Sequence, residues 1–585
     1  MPDISALNGT AIDNVAEFDG LTVTAPAFVG LLDTYTGAAA GYSTRKLKTG
    51  VTVAARIRRS GDNIEADVEF DSNNEISLTS PISNASSGTY TDLADFVDHS
   101  TTPRDAFVKE WKDQSGSGNH ATQATPGSQP QLYDATTGLI TENGNPAIQW
   151  NATNQTFLET GAYDAWSDGS CYTSMVFNGR QGPAGSHTYW DIESGVMRYS
   201  SGTTDMFALF YGSNDVPRTS GAFSGQGLHT FYSVASETDA AIYIDGSLEG
   251  STTRTNSVGD QNVTACIASR IGTSQWNSCK YQEIVHWGSD VASNRPGIET
   301  DINEEYLIYQ PTDAPTSGLL ADYTGAAAAY SVRQLSDKAV ISMRVRRDSD
   351  DEERNFGFDT NGDLDSAGIA AFCQTANGYV TRWWDQSTNG NHADQPVGGT
   401  GSNALQPQIY NGTAVITANG QPALQGGASK YLIQPTAVSV SNDLTLLAVA
   451  DTSNLTTTQL ILGIDTDTCA TDTQIFTDSN GSRINGRSSS CGFVHSTKSG
   501  NNTLFLGVLD YTNDELVARY DGSVQSAVTG LTETPTSIDW NIGANTSGSS
   551  NNLGTYQEVI IWLSAQSPTN ATGIESNIMT YFNIP

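Results

Sequence analysis

The sequence predicts an all-β protein: two tandem antiparallel β-sandwiches, each closed by a short terminal helix, behind a small N-terminal hairpin segment. Three observations carry this. Charged residues make up only 16% of the chain while glycine numbers 56, a composition of turn-rich β structure and not of disorder or coiled coil. Short alternating or apolar runs (Val51–Ile57, Ala241–Ile244, Leu444–Ala450, Gln557–Trp562) are separated by Gly/Asn/Asp turns, the spacing of a sandwich. Finally, the chain repeats itself. At 585 residues it is too long for one core, and the repeat shows how it divides.

Residues 1–29 come first and carry a small repeat of their own. Ile4-Ser-Ala-Leu7-Asn8-Gly9-Thr-Ala-Ile12 is followed by Val15-Ala-Glu-Phe18-Asp19-Gly20-Leu-Thr-Val23. Asn-Gly and Asp-Gly tolerate positive φ, so each unit reads as a hairpin. So short a pair cannot bury a core alone. Its apolar residues Ile4, Leu7, Ile12, Val15, Phe18 and Val23 are therefore expected to dock on a partner chain, or else on the first sandwich.

The first sandwich spans residues 30–312 and the second 313–585. Gly30-Leu-Leu-Asp-Thr-Tyr35-Thr-Gly37 returns as Gly318-Leu-Leu-Ala-Asp-Tyr323-Thr-Gly325, and Tyr42-Ser43-Thr-Arg45 as Tyr330-Ser331-Val-Arg333. Later landmarks recur in the same order: Asn143-Gly144 and Asn419-Gly420, Asp245-Gly246-Ser247 and Asp521-Gly522-Ser523, Tyr281-Gln282-Glu283 and Tyr556-Gln557-Glu558. Between the halves, Gln310-Pro311-Thr-Asp-Ala-Pro315 reads as a short, stiff linker. Each half ends in a helical pattern, Gly297–Tyr306 after Pro296 and Gly573–Tyr581 after Pro568.

One duplicated stretch concentrates the polar residues. Trp111-Lys-Asp113-Gln114-Ser115-Gly-Ser-Gly118-Asn119-His120 returns as Trp383-Trp384-Asp385-Gln386-Ser387-Thr-Asn-Gly390-Asn391-His392. Trp111, Asp113, Gln114, Asn119 and His120, with Trp384, Asp385, Gln386, Asn391 and His392, are candidates for sugar contact. Asp and Asn side chains also satisfy turn amides, and the same residues then lock a loop.

Other patterns are weaker. Asp359, Asn361, Asp363 and Asp365 place oxygens at alternate positions, as calcium loops do, but lack the sixth-position Gly and distal Glu of an EF-hand. An Asn-Gly turn is the plainer reading, and no other cofactor is indicated. Arg56, Arg58 and Arg59, with Arg344, Arg346 and Arg347, alternate on strands and are expected to pair with surrounding acids. Cys266/Cys279 and Cys469/Cys491 sit late in each half, as disulfides or as free buried thiols. A net charge of −36 repels phosphate backbones and anionic lipid, which argues against nucleic-acid and membrane-surface partners. The N-terminus has neither the basic region nor the apolar core of a signal peptide, and no run has the length to span a bilayer.

The Tyr-Ser-x-Arg segment, Arg58-Arg59-Ser60-Gly61-Asp62-Asn63 and the W-x-D-Q-S-x-x-G-N-H-A-x-Q stretch together resemble the catalytic domain of family-B α-L-arabinofuranosidases. They are also similar to concanavalin A-like (LamG-like) domains of tailed-phage structural proteins, as residues 1–29 are to N-terminal segments in such proteins. The resemblance implies a jelly-roll sandwich and, in the enzymes, a retaining mechanism with a Glu nucleophile and an Asp acid/base, carboxyl groups about 5–5.5 Å apart. At the nucleophile position stand Tyr189-Trp190-Asp191-Ile192-Glu193 and Leu462-Gly463-Ile464-Asp465-Thr466, with disturbed spacing. At the acid/base turn stand Gly272-Thr273-Ser274-Gln275 and Gly543-Ala544-Asn545-Thr546, with no Asp in either. A glycosidic oxygen needs a proton from an acid, which Thr and Asn do not supply. Activity would need a rearranged pair, such as Asp191 or Glu193 with Glu283. The expectation is a non-enzymatic virion protein of a tailed phage: a tail fibre, appendage or capsid-decorating component. It would be homo-oligomeric in the particle, joined to other virion proteins through residues 1–29 and adhesive toward host-surface glycans. The alternatives are a retaining glycosidase of arabinofuranosidase type and a bacterial surface adhesin.

Overall fold

Within residues 1–27 the computed structural model describes only four short strands. Beyond them it describes residues 28–585 except 168, 179–186, 193–195, 200–206, 210–224, 235–238, 254–260, 271, 396–404, 441–442, 452–457, 467–472, 488–492, 499–502, 532–536 and 545–551. The chain divides into two compact units, Met1–Ile302 and Asn303–Pro585.

The N-terminal repeat forms two hairpins. Ala6–Leu7 pairs with Thr10–Ala11, and Glu17–Phe18 with Leu21–Thr22; Asn8-Gly9 and Asp19-Gly20 lie outside the described residues. Leu7 and Phe18 lie in these strands. Ile4, Ile12, Val15 and Val23 fall outside the described residues.

In the first unit, Cys279–Trp287 is the central strand. It pairs with Ala40–Ser43 and with Cys171–Asn178; the latter continues to Gln226–Val234, Asp239–Ile244 and Ser247–Thr253, all antiparallel. A second set runs Leu158–Trp166, Gln261–Ile267, His187–Asp191, Val196–Tyr199 and Phe207–Leu209. Strand Val53–Arg59 pairs with Glu65–Glu69 and with Ala106–Trp111, which leads into the polar loop. The second unit repeats the scheme: Thr555–Trp562 pairs with Ala326–Ser331 and Leu444–Asp451, then Leu504–Asp510 and Glu515–Tyr520. Its other set runs Leu432–Ser439, Ser537–Ile542, Gln459–Thr466 and Thr473–Asp478. Each half is a β-sandwich of the jelly-roll class around its own core.

Local sequence explains the elements. The central strands are buried on both faces, so Gln-Glu-Ile-Val-His-Trp and Gln-Glu-Val-Ile-Ile-Trp read as nearly continuous apolar runs rather than alternations. Asn143-Gly144, Asn419-Gly420, Asp245-Gly246 and Asp521-Gly522 take positive φ at both positions, with φ of 50° and 77° in the Asp245 turn. This matches the two-residue turn that follows strand twist. The terminal helices are Arg295–Tyr306 and Pro568–Tyr581, the latter capped by Ser567 with Pro at its first position. They bury Ile298 and Ile302, and Ile574 and Ile578. The short helices Leu31–Thr34, Leu93–Phe96, Leu319–Asp322 and Ser366–Cys373 were not anticipated. Each is too short to show a clear apolar period.

Candidate functional site

The duplicated polar loop is hydrogen-bonded almost identically in the two halves. Asp113 Oδ1 accepts from the backbone N–H of Gly41 and Ser115 (2.9 Å each), and Oδ2 from Ser115 Oγ and Asn119 N–H (2.9 Å each). Asp385 does the same with Ala329, Ser387 and Asn391, at 2.8–3.0 Å. Gln114 accepts from Leu47 N–H at 2.7 Å and donates to the Ser43 and Arg45 carbonyls. Gln386 repeats this with Leu335, Ser331 and Arg333. Asn119 and Asn391 each donate to a first-strand carbonyl, Ala39 and Ala327, at 2.8 Å. His120 Nδ1 accepts from Asp113 N–H at 3.0 Å, and His392 Nδ1 from Asp385 N–H at 3.1 Å. Asp, Gln and Asn of the motif thus tie the loop to the first strand and the segment after it, while His braces the loop from within.

Trp111 and its counterpart Trp383 take the same place: both donate Nε1–H to the carbonyl of the motif serine, Ser43 or Ser331, at 3.3 Å. Trp384 stands where the first half has Lys112. It is 5% exposed, with its ring 4.4 Å from His392 and 5.0 Å beneath the Arg382 guanidinium. An indole so buried presents little surface to a sugar.

Glu283 is also sequestered. It is fully buried and accepts from Ser43 Oγ (2.9 Å) and Arg45 Nε (2.8 Å), while Arg45 reaches on to Asp301 of the terminal helix (2.8 Å). Glu558 is held in the same way by Ser331 and Arg333 (2.8 Å each), with Arg333 donating to Asn577 and lying over Tyr581 and Phe582. These locks join residues more than two hundred positions apart. In the sequence, Tyr-Ser-x-Arg and Tyr-Gln-Glu stand as separate landmarks. The signal was available, because the charged Arg and Glu are kept together in both copies.

Two further carboxylates belong to the catalytic reading, Asp191 and Glu193. Asp191 is buried at the end of its strand, opposite Cys266, which in turn faces Glu159 across the next strand. The same row in the second half is Ile433, Asn541 and Gly463. Glu193 lies outside the described residues. The Gly272–Gln275 turn closes by an Arg270–Ser274 bridge and brings no acid to the site.

The Asp359–Asp365 segment makes the hydrogen bonds of a turn and a helix cap. Asp359 Oδ1 accepts from the N–H of Asn361 and Asp363, Asp363 accepts from Tyr581 OH, and Asp365 caps the helix Ser366–Cys373 through Gly368 N–H. No group of three or more His, Cys, Asp or Glu among the described residues is placed to hold a metal. The arginine runs pair with acids as expected: Arg56 with Glu65 and Asp67, Arg59 with Asp62, Arg344 with Glu353, Arg346 with Asp351, and Arg347 with Asp350 and Glu352. Arg58 instead donates to Gln129 and Asn63. Cys266 and Cys279 are free buried thiols, which overturns the disulfide between them; Cys469 and Cys491 lie outside the described residues. Among the described residues no helix is long and apolar enough to cross a membrane.

No protein-family model and no curated protein matches the chain. Among solved structures, it is similar to an arabinofuranosidase complexed with arabinofuranosyl-α-1,2-xylobiose, at 18% identity and TM-score 0.35, over 43% of this chain and 62% of that one. A GH54 α-L-arabinofuranosidase soaked with a cyclic sulfate inhibitor aligns at 13% identity and TM-score 0.35, over 69% and 84%. Mouse laminin α1 domains LG4-5 align at 9% identity and TM-score 0.21, over 69% and 86%. The β-sandwich itself is established by the strand pairings of this chain.

Proposed function

We propose that the protein is a non-enzymatic structural component of a tailed-phage particle that adheres to host-surface glycans through its sandwiches and docks by residues 1–29. One observation supports the non-enzymatic part: Glu283 and the duplicated carboxylates Asp113, Asp385 and Glu558 are engaged inside the fold. Asp113 and Asp385 each hold four donors, and Glu283 and Glu558 each hold a buried arginine and a serine. A general acid must reach the leaving oxygen, and a carboxylate fixed in a buried ion pair does not. The docking part is supported by the two N-terminal hairpins, each paired only within itself among the described residues and too small to be stable alone.

The test is a map of intact particles with mass spectrometry of their components. The reading expects the chain in purified particles, with residues 1–29 buried against a neighbouring protein. Absence from particles refutes the virion role, and a solvent-exposed N-terminal segment in the particle refutes the docking. A glycan array on the full chain tests adhesion separately; no bound glycan at any pH tried refutes it.

A further inference from the structure

One row of side chains in the second sandwich is not explained by its core. The strand set that begins with Leu432–Ser439 continues past Thr473–Asp478 to Gly481–Arg487 and Phe493–Lys498. Across it, Leu432, Ile542, Leu462, Ile475 and Ile484 are cross-strand neighbours, and all of them lie in the core. The adjacent row is Ile433, Asn541, Gly463, Gln474 and Asn485, ending at His495. Successive residues of a strand point to opposite faces, so this row lies on the face turned away from the core. It reaches solvent at several points: Ile433 and Gln474 are half-buried and His495 is exposed.

Two amide atoms of the row, Asn541 Nδ2 and Asn485 Oδ1, are buried and have no hydrogen-bond partner among the described residues. Their side chains belong to residues only 1% and 3% exposed. A sheltered amide without a partner costs stability and calls for a reason. The sandwich itself does not supply one. At the same register the first half has Cys266 for Asn541 and Asp191 for Gly463, beside a core row of Leu158, Ile267 and Trp190. The fold is thus built twice, and only one copy carries the amides.

We infer that this row binds a neutral glycan, with Asn541 and Asn485 bonding its hydroxyls and Gly463 leaving room for a sugar ring between them. The inference rests on the adhesive reading above and narrows it to one face of one half. A hydroxyl both gives and takes a hydrogen bond, which suits a row offering an amide nitrogen toward one end and an amide oxygen toward the other. Strands about 4.8 Å apart put Asn541 and Asn485 about 14 Å from each other, a span for a short oligosaccharide rather than a single ring. Ile433 adds an apolar contact for the C–H face of a sugar. Charge favours a neutral ligand. Asp539 stands two residues before Asn541 on the same face. Arg483, two residues before Asn485, lies 3.3 Å from Asp478 and over the Phe476 ring, and Arg487 is buried. The net charge of −36 opposes acidic glycans further.

A printed array of neutral oligosaccharides and of sialylated and uronic-acid glycans, read with the full chain, separates the outcomes. Wild type should bind neutral members. The double variant Asn541→Ala, Asn485→Ala should weaken that binding about tenfold or more. Cys266→Ala, at the same register in the first half, should leave it unchanged. Neutral-glycan binding that survives the double variant, or binding of acidic glycans alone, overturns the inference while the adhesive reading stands. An array with no bound glycan overturns both. Should the double variant fail to fold, hydroxyl-radical footprinting of wild type with and without a neutral glycan from the array decides. Ile433 and His495 should be shielded, and shielding confined to the first sandwich overturns the inference.

Discussion

The two sandwiches keep one set of residues and exchange another. Kept are the loop lock of Asp113/Gln114/Asn119/His120 and its copy, and the Ser43–Arg45–Glu283 knot and its copy, with matching partners within a few tenths of an ångström. Exchanged are the fillings around them. In the first half Trp190 packs beside Tyr42 (6.4 Å), and Ala265 occupies the strand facing it. In the second half the large residue has moved to that facing strand: Trp540 donates Nε1–H to Tyr330 OH at 3.0 Å, and Leu462 stands where Trp190 would. The pair under the terminal helix is rearranged too. Glu299 takes its arginine, Arg295, from one turn away on the helix, whereas Glu575 takes Arg519 from a strand. Invariance follows the backbone's hydrogen-bonding needs, and variation is tolerated where volume alone must be conserved.

The largest expected effect comes from breaking the ionic knot. Glu283→Ala or Glu558→Ala removes the buried carboxylate of the pair and should cost its own half about 3–5 kcal/mol. Two-transition denaturant unfolding would show it, and a loss in one half only would end the claim that the knots are equivalent. Next, Asp113→Ala or Asp385→Ala orphans several loop amides at once and should cost about 2–3 kcal/mol, read in the same way. A smaller effect tests the exchanged filling. Importing the second half's arrangement into the first by Trp190→Leu with Ala265→Trp should cost less than about 1.5 kcal/mol, while Ala265→Trp alone should cost more. A penalty for the pair as large as that of the single change would show that the two fillings are not interchangeable. The smallest effect concerns Cys266 and Cys279, whose thiols burial pushes well above the ordinary range. Native protein at pH 8 should resist alkylation at both, and mass spectrometry checks it.

The duplication, the sandwich class, the Asp-Gly and Asn-Gly hairpins and the terminal helices were legible in the sequence because they are local or repeated. One feature was not. The partnership of Arg45 with Glu283 spans nearly a whole half, and no local period reports such a contact. The calcium-like spacing at Asp359–Asp365 has another use. Alternate oxygens also suit an Asx turn, a tyrosine and a helix cap, and Asp359, Asp363 and Asp365 each have one of those neighbours.

The most direct test is the rate at which the full chain hydrolyses 4-nitrophenyl α-L-arabinofuranoside. With the conserved carboxylates spent on holding the fold, release of nitrophenol should stay at the buffer background in wild type and in Glu283→Gln. Turnover by the wild type that disappears in Glu283→Gln, with the melting temperature unchanged, would contradict the account.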